Sequence, residues 1–409
     1  MKEKLYVFFK YASEFGLYGL LFFLPISNSL IEVFFCITFF SFTAKKIIKP
    51  DFARLKSLPN LFLLVFFIFI GFSLVNSGQY FHKSLWALAG KWAQYIGVCL
   101  IAQDISAERK VLKRAVSVFL FSACLVILSG LSQRFLGVEF LRGRPLICVS
   151  DKFCAITSAF KYYNALGTYL ITAISLFFGV FVSAVNKKWR FSPVLALFLA
   201  LAVFADVLTY SRGSWAGFIF SMLFLLVTIK DLKPRLIIIS TIAIFAAFFI
   251  IPAFFAYAGQ SMPLNSFIGR AVSSFQAEGD ADRFKYWQVA IRMIHENPFL
   301  GKGVGTFMDY FSRYLPTLNI SYAHNCYLQI WAETGIFSLF SFLIFVGSLF
   351  WFGIKSFLAK KDYLLIGLLT GISAYLTHAF FDTALYSLPL AFLFWILAGL
   401  TLSLIKSDN

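Results

Sequence analysis

The chain has 409 residues, of which 60% are hydrophobic, 20% aromatic and only 13% charged, and its mean hydropathy is +0.81. That balance excludes a soluble globular domain. Apolar stretches of about 20 residues recur along almost the whole length, as helical spanning of a bilayer requires, whereas a β-barrel would show short alternating segments. The net charge of +17 invites a nucleic-acid reading. However, Lys and Arg cluster in short gaps between alternate apolar runs, the positive-inside pattern, so membrane lipids and no nucleic acid are the expected surroundings.

In chain order, Lys2, Lys4 and Lys10 place the N-terminus in the cytoplasm. No cleavable signal peptide is evident, and the first apolar run reads as a retained span. Spans are predicted at 7–25 and 28–44, joined by a tight outer turn at Pro25 to Asn28, and then at 60–76 and 84–103, with Lys91 inside the fourth. Lys45, Lys46, Lys49, Arg54 and Lys56 mark the cytoplasmic side, as do Arg109, Lys110, Lys113 and Arg114. Span five, 115–131, leads into a basic outer loop from Gln133 to about Tyr162, carrying Arg134, Arg142, Arg144, Lys152 and Lys161 against Glu139 and Asp151. Cys148 and Cys154 lie in that loop, which should be oxidising; the spacing permits a bridge or two free thiols. Cys36, Cys99 and Cys124 lie in apolar runs and read as packing residues.

Spans six to nine follow at 163–185, 192–209, 214–229 and 236–256. Thr209 to Trp215 forms a short outer turn. Residues 257–323 are the one long hydrophilic interval, read as a partly helical outer domain. Apolar residues at Trp287, Ala290, Ile291 and Ile294 have helical spacing, Asn297-Pro298 stops that helix, and Gly301, Gly303 and Gly305 make a turn. Three more spans, 326–353, 363–381 and 386–405, return the chain to the cytoplasm at Lys406. The fold class is therefore an all-α polytopic membrane protein of about twelve transmembrane helices. Its units are 1–256 with spans one to nine, a loop domain at 257–325 outside, and 326–409 with spans ten to twelve. No internal repeat of the transporter kind is visible.

The organising stretch is Ile320 to Gly335, ISYAHNCYLQIWAETG. A helix starting near Asn325 puts Gln329 and Glu333 on one face. Such a stripe is costly in a membrane unless it lines a polar site or finds partners; an ordinary N-cap with an amphipathic first turn is the other reading. Arg212, held at the membrane boundary, suits phosphate oxygens; by itself it reads first as an interfacial arginine paired with Asp206. Arg283 opens the outer helix, with an N-cap offered by Gly279 to Asp282. A cation there opposes the helix dipole, which points to a bound anion or to simple offsetting by Asp280 and Asp282. His324 stands at the polar-to-apolar junction, where imidazole can serve as general base or phosphate ligand. His82 and His295 read as surface residues; His378 lies near the outer end of span eleven, close to Asp382. There is no metal-ligand spacing, P-loop or dinucleotide fingerprint, so neither metal nor cofactor is expected. Arginines, one placed histidine and no nucleotide motif fit a donor that carries its own leaving group on a lipid.

At this point the residues resemble a known family, the O-antigen ligases, with the related O-antigen polymerases and bacterial protein O-oligosaccharyltransferases. Tyr162 to Leu170 looks like the family's Asn-containing start of span six. Ser211-Arg212-Gly213-Ser214-Trp215 looks like its S-R-G turn. Arg283 to Trp287, with Asn297-Pro298 and Gly301 to Gly305, looks like its R-x-x-x-W and P-x-x-G-x-G segment. His324-Asn325, Tyr327-Leu328-Gln329 and Glu333-x-Gly335 look like its H-N-x-Y-L-Q and E-x-G signature. The resemblance implies a GT-C-like membrane glycosyltransferase, metal-independent, in the bacterial inner membrane with its active site on the periplasmic face; a single displacement without a covalent enzyme intermediate would make it inverting. It would take glycan from an undecaprenyl-pyrophosphate donor to lipid A–core or another glycan acceptor. Arg212 and Arg283 would bind pyrophosphate and His324 would assist catalysis, with Arg142, Asn164, Trp287, Asn325, Gln329 and Glu333 as candidate substrate contacts. Polymerase, protein glycosylation and a non-catalytic lipid-glycan transporter remain open alternatives. Cys148 and Cys154 are not counted as a family feature.

Overall fold

The computed structural model describes residues 1–150, 153–257, 281–316 and 321–405. Asp151, Lys152, Gly279, Asp280, Ile320 and Lys406, on which parts of the sequence reading rest, lie outside these, as do residues 258–278.

Helices dominate. They are α1 (Lys2–Phe23), α2 (Asn28–Ile48), α3 (Leu58–Phe72), α4 (Phe81–Ala87), α5 (Ala93–Ile105), α6 (Arg109–Leu136), α7 (Tyr163–Asn186), α8 (Ser192–Leu208), α9 (Arg212–Thr228) and α10 (Leu232–Tyr257). After the undescribed stretch come α11 (Ala281–Glu296), α12 (Phe307–Tyr314), α13 (Cys326–Lys360), α14 (Tyr363–His378) and α15 (Leu388–Leu404). The apolar runs read from the sequence fall on these helices, the third running on past α3 and the fourth spanning α4 and α5. By length and composition, five helical stretches among the described residues suffice to cross a membrane: 58–76, 78–105, 109–136, 163–186 and 326–360. The apolar helices α8, α9, α14 and α15 are shorter. The architecture is that of a polytopic helical membrane protein.

Side-chain caps set several boundaries. Ser27, Ser57, Ser211, Asn325 and Asp362 each accept a first-turn backbone N–H, which satisfies donors that a helix start leaves open. In a bilayer, close backbone packing replaces the hydrophobic drive between helices. Gly179 of α7 and Gly367 of α14 are in such contact: a Cβ on Gly367 would meet the Gly179 Cα at 3.1 Å. α7 is the most enclosed of the long spans.

Three features depart from the sequence reading. The fourth span is not one α-helix, since α4 and α5 meet through a π-helical turn, Leu88–Trp92, which contains Lys91. The loop after α6 holds a small antiparallel hairpin, β1 (Ile147–Ser150) and β2 (Phe153–Ala155), so the fold is not wholly helical. Cys148 faces Cys154 across it, and the two form a disulfide. Finally, α13 is broken at Gly335, which has φ 84° and ψ 172°. A side chain there would collide with the Phe299 carbonyl, so only glycine fits.

Candidate active site

The break in α13 receives the segment that follows α11. The Lys302 N–H donates to the Ala332 carbonyl at 3.0 Å, Gly303 N–H to Glu333 O at 2.9 Å, and Ile336 N–H to Pro298 O at 3.0 Å. The buried Glu333 carboxylate takes the Gly305 N–H at 2.9 Å and the Phe307 N–H at 3.1 Å. Gln329 donates to the same carboxylate at 3.3 Å and accepts the Ala323 N–H at 3.2 Å. Asn325 accepts the N–H groups of Tyr327 and Leu328, both at 3.0 Å. The same segment is tied to the end of α3, where Val304 N–H donates to Ser73 Oγ and Asn76 donates to the Gly301 carbonyl. Buried polar groups in a low-dielectric setting need such partners. Here the polar stripe finds them in backbone amides.

His324 is arranged differently. Its backbone is left-handed, φ 48°, a region in which histidine is enriched. The side chain is 31% exposed, with Nδ1 3.2 Å from Asp382 Oδ1 and Nε2 3.1 Å from Ser321 Oγ. The Tyr286 ring lies over it, centroids 5.6 Å apart. Asp382 sits in the loop after α14. Burial pushes its pKa up, but the hydrogen bond to His324 and the charges of His378 and His324 outweigh that and hold it below the ordinary carboxylate value.

On α11, Arg283, Tyr286 and Trp287 share one helical face. Trp287 packs edge-on against Phe380, centroids 6.2 Å apart. Its indole N–H is buried with no hydrogen-bond partner among the described residues. Arg283 is half-buried and near enough to His378 to act on it through its charge.

His378 ties three helices together. Its Nδ1 lies 2.7 Å from Thr168 Oγ1 on α7, and its Nε2 lies 3.4 Å from Ser211 Oγ at the start of α9. Ser211 also donates to Asn164 Oδ1 at 2.8 Å. A side chain at Gly213 would meet the His378 ring at 2.8 Å. Arg212, half-buried, therefore leaves a turn fixed by α7 and α14. Asp206 is buried beneath it, with its carbonyl taking the Trp215 indole N–H at 3.3 Å.

His324, Arg283 and Trp287 are thus drawn around the α14 end, and Arg212 and Asn164 join them through His378. Asn325, Gln329 and Glu333 stand beneath, engaged with backbone. Arg142 is exposed on the loop after α6, its N–H held by Glu139 at 2.9 Å. The sequence reading did not give His378 or Asp382 a role. Their i, i+4 spacing at a helix end is the one local signal that both face the same place.

Residues 195–343 match the family model described as O-antigen ligase. Over that segment, 149 of the 409 residues, the chain is similar to the O-antigen ligase family. The match takes in Arg212, Arg283, His324, Asn325, Gln329 and Glu333, and stops short of Asn164, His378 and Asp382. A search of curated proteins finds no match. Members of this family are membrane glycosyltransferase-like enzymes of O-antigen ligase or polymerase type, which implies glycan and lipid-linked substrates within a membrane.

Proposed function

We propose that this protein is an O-antigen ligase, moving glycan from an undecaprenyl-pyrophosphate donor to lipid A–core on the periplasmic face of the bacterial inner membrane. The observation that carries the reading is the ordered pair His324–Asp382. Asp382 accepts from Nδ1–H, which leaves the Nε2 lone pair to receive a proton. The Ser321 hydroxyl at Nε2 stands where an acceptor sugar hydroxyl would stand.

In this mechanism the acceptor oxygen attacks the anomeric carbon of the donor. Its proton passes to His324 Nε2, and the bond from that carbon to the pyrophosphate oxygen breaks. The leaving undecaprenyl pyrophosphate keeps the electron pair, and Arg212 and Arg283 neutralise its charge. Planar guanidinium forks match phosphate oxygens better than ammonium does. Trp287, with its unpaired N–H, is a donor to a glycan or phosphate oxygen. One displacement without a covalent enzyme intermediate inverts the anomeric centre. Asn325, Gln329 and Glu333 serve this site by holding the loop beneath it, a change from the direct substrate contacts expected of them. The 257–325 interval acts as the outer domain that brings Arg283 to the membrane boundary.

Reconstitution with purified donor and acceptor tests the reading. A covalent lipid A–core product supports a ligase. Lengthened donor glycan would indicate a polymerase, glycosylated protein an oligosaccharyltransferase, and movement without any covalent product a transporter.

A further inference from the structure

At the far end of α6 lies a second polar feature, a cavity of about 420 Å³ lined by Tyr18 of α1 and by Lys110, Lys113, Arg114, Ser117 and Val118 of α6. α6 is 28 residues long, so its start lies about 40 Å from its end. That other end leads through the hairpin loop to Asn164, beside the candidate active site. The cavity therefore faces the opposite membrane boundary and belongs to a different site.

Three cations and no acidic side chain line it. The Tyr18 hydroxyl is a buried oxygen with no hydrogen-bond partner of ordinary geometry, although it borders the same hollow. The Arg114 guanidinium approaches that oxygen as a donor, so the hydroxyl proton is left for an acceptor oxygen. Lys110, Arg114, Ser117 and Phe121 recur at i, i+3 and i+4, so they form one stripe along the helix. Phe121 is 60% exposed and stacks on Phe22 of α1, centroids 6.2 Å apart. The crevice between α1 and α6 thus passes from cationic at the boundary to apolar within the bilayer.

We propose that this crevice is a binding site for one anionic phospholipid, with its phosphodiester among Lys110, Lys113, Arg114 and Tyr18 and an acyl chain along Phe22 and Phe121. Basic pockets at membrane boundaries attract anionic headgroups, while cations in general draw lipid only loosely. The apolar continuation and the waiting hydroxyl distinguish a site from the ordinary basic edge.

Purified full-length protein is exposed to mixed micelles containing phosphatidylglycerol or phosphatidylcholine, and retained lipid is counted by native mass spectrometry. Phosphatidylglycerol should be held about tenfold or more tightly than phosphatidylcholine. The triple variant Lys110→Gln, Lys113→Gln, Arg114→Gln should lose that preference. Lys187→Gln, Lys188→Gln, Arg190→Gln, which removes three cations from the turn between α7 and α8, should keep it. Tyr18→Phe, which changes no charge, should lower retention by about threefold, and it serves if the triple variant does not fold. Equal retention of both lipids, or equal loss in the two triple variants, would overturn the proposal. So would displacement of the lipid by inorganic phosphate alone, which would indicate a bare anion site.

Discussion

His324 and Glu333 belong to one sixteen-residue stretch and lie nine positions apart, yet the structure gives them opposite circumstances. His324 is partly exposed and bonded to two side chains, Asp382 and Ser321. Glu333 is 1% exposed and bonded to the backbone of Gly305 and Phe307. A side chain whose hydrogen bonds end on backbone amides is spent on holding the chain. One that is partly exposed and meets a side-chain hydroxyl can exchange that hydroxyl for a substrate's. Under the proposed function, the same polar signature divides into a working end and a supporting end.

The comparison breaks most sharply under substitution of the arginines and His324. Arg212→Ala and Arg283→Ala should each abolish measurable glycan transfer while leaving detergent-solubilised protein monodisperse, and Lys at either position should restore little. Normal turnover in Arg212→Ala would make that arginine merely interfacial. His324→Ala should reduce transfer about 10²–10⁴-fold with donor binding and thermal unfolding unchanged. Glu333→Gln should do the reverse in kind. Loss of one charged acceptor for two backbone N–H groups should cost about 1–3 kcal/mol of stability, read as a lower unfolding midpoint. A Glu333→Gln variant as stable as the wild type would remove the division between the two ends.

Much of this was legible in the sequence because it is local. Apolar run length marks the helices, and Asn325 before the tenth run announces its cap. The i, i+4 spacing of Gln329 and Glu333 correctly puts them on one face, but it cannot say what they face. Their partners are amides of Gly305, Phe307 and Ala323, and backbone amides carry no mark in a sequence. The His378 tie to Thr168 is 210 residues long, and His324 meets Asp382 across 58. Only tertiary packing makes such pairs. The hairpin is equally silent, since strands of four and three residues are too short for a pattern of alternation.

A smaller effect is read by pH at Asp382, the partner of His324. Asp382 has its folded pKa depressed. Its contribution to stability is thus present above the unfolded value of about 3.9 and is lost as pH falls through the folded value. Asp382→Asn should flatten the acid limb of a stability–pH curve and lower transfer about tenfold by releasing the imidazole. An unchanged acid limb would mean that the His324–Asp382 pair does not contribute to stability.

The most direct test of the central claim is the pH dependence of transfer by the reconstituted protein with saturating donor. If His324 Nε2 accepts the acceptor's proton, the rate should rise from acid pH toward neutrality as imidazole loses its own proton, and this rise should vanish in His324→Ala along with most of the activity. A rate that falls over the same range in the wild type would mean that a cationic His324 binds phosphate, and wild-type turnover in His324→Ala would remove it from the mechanism.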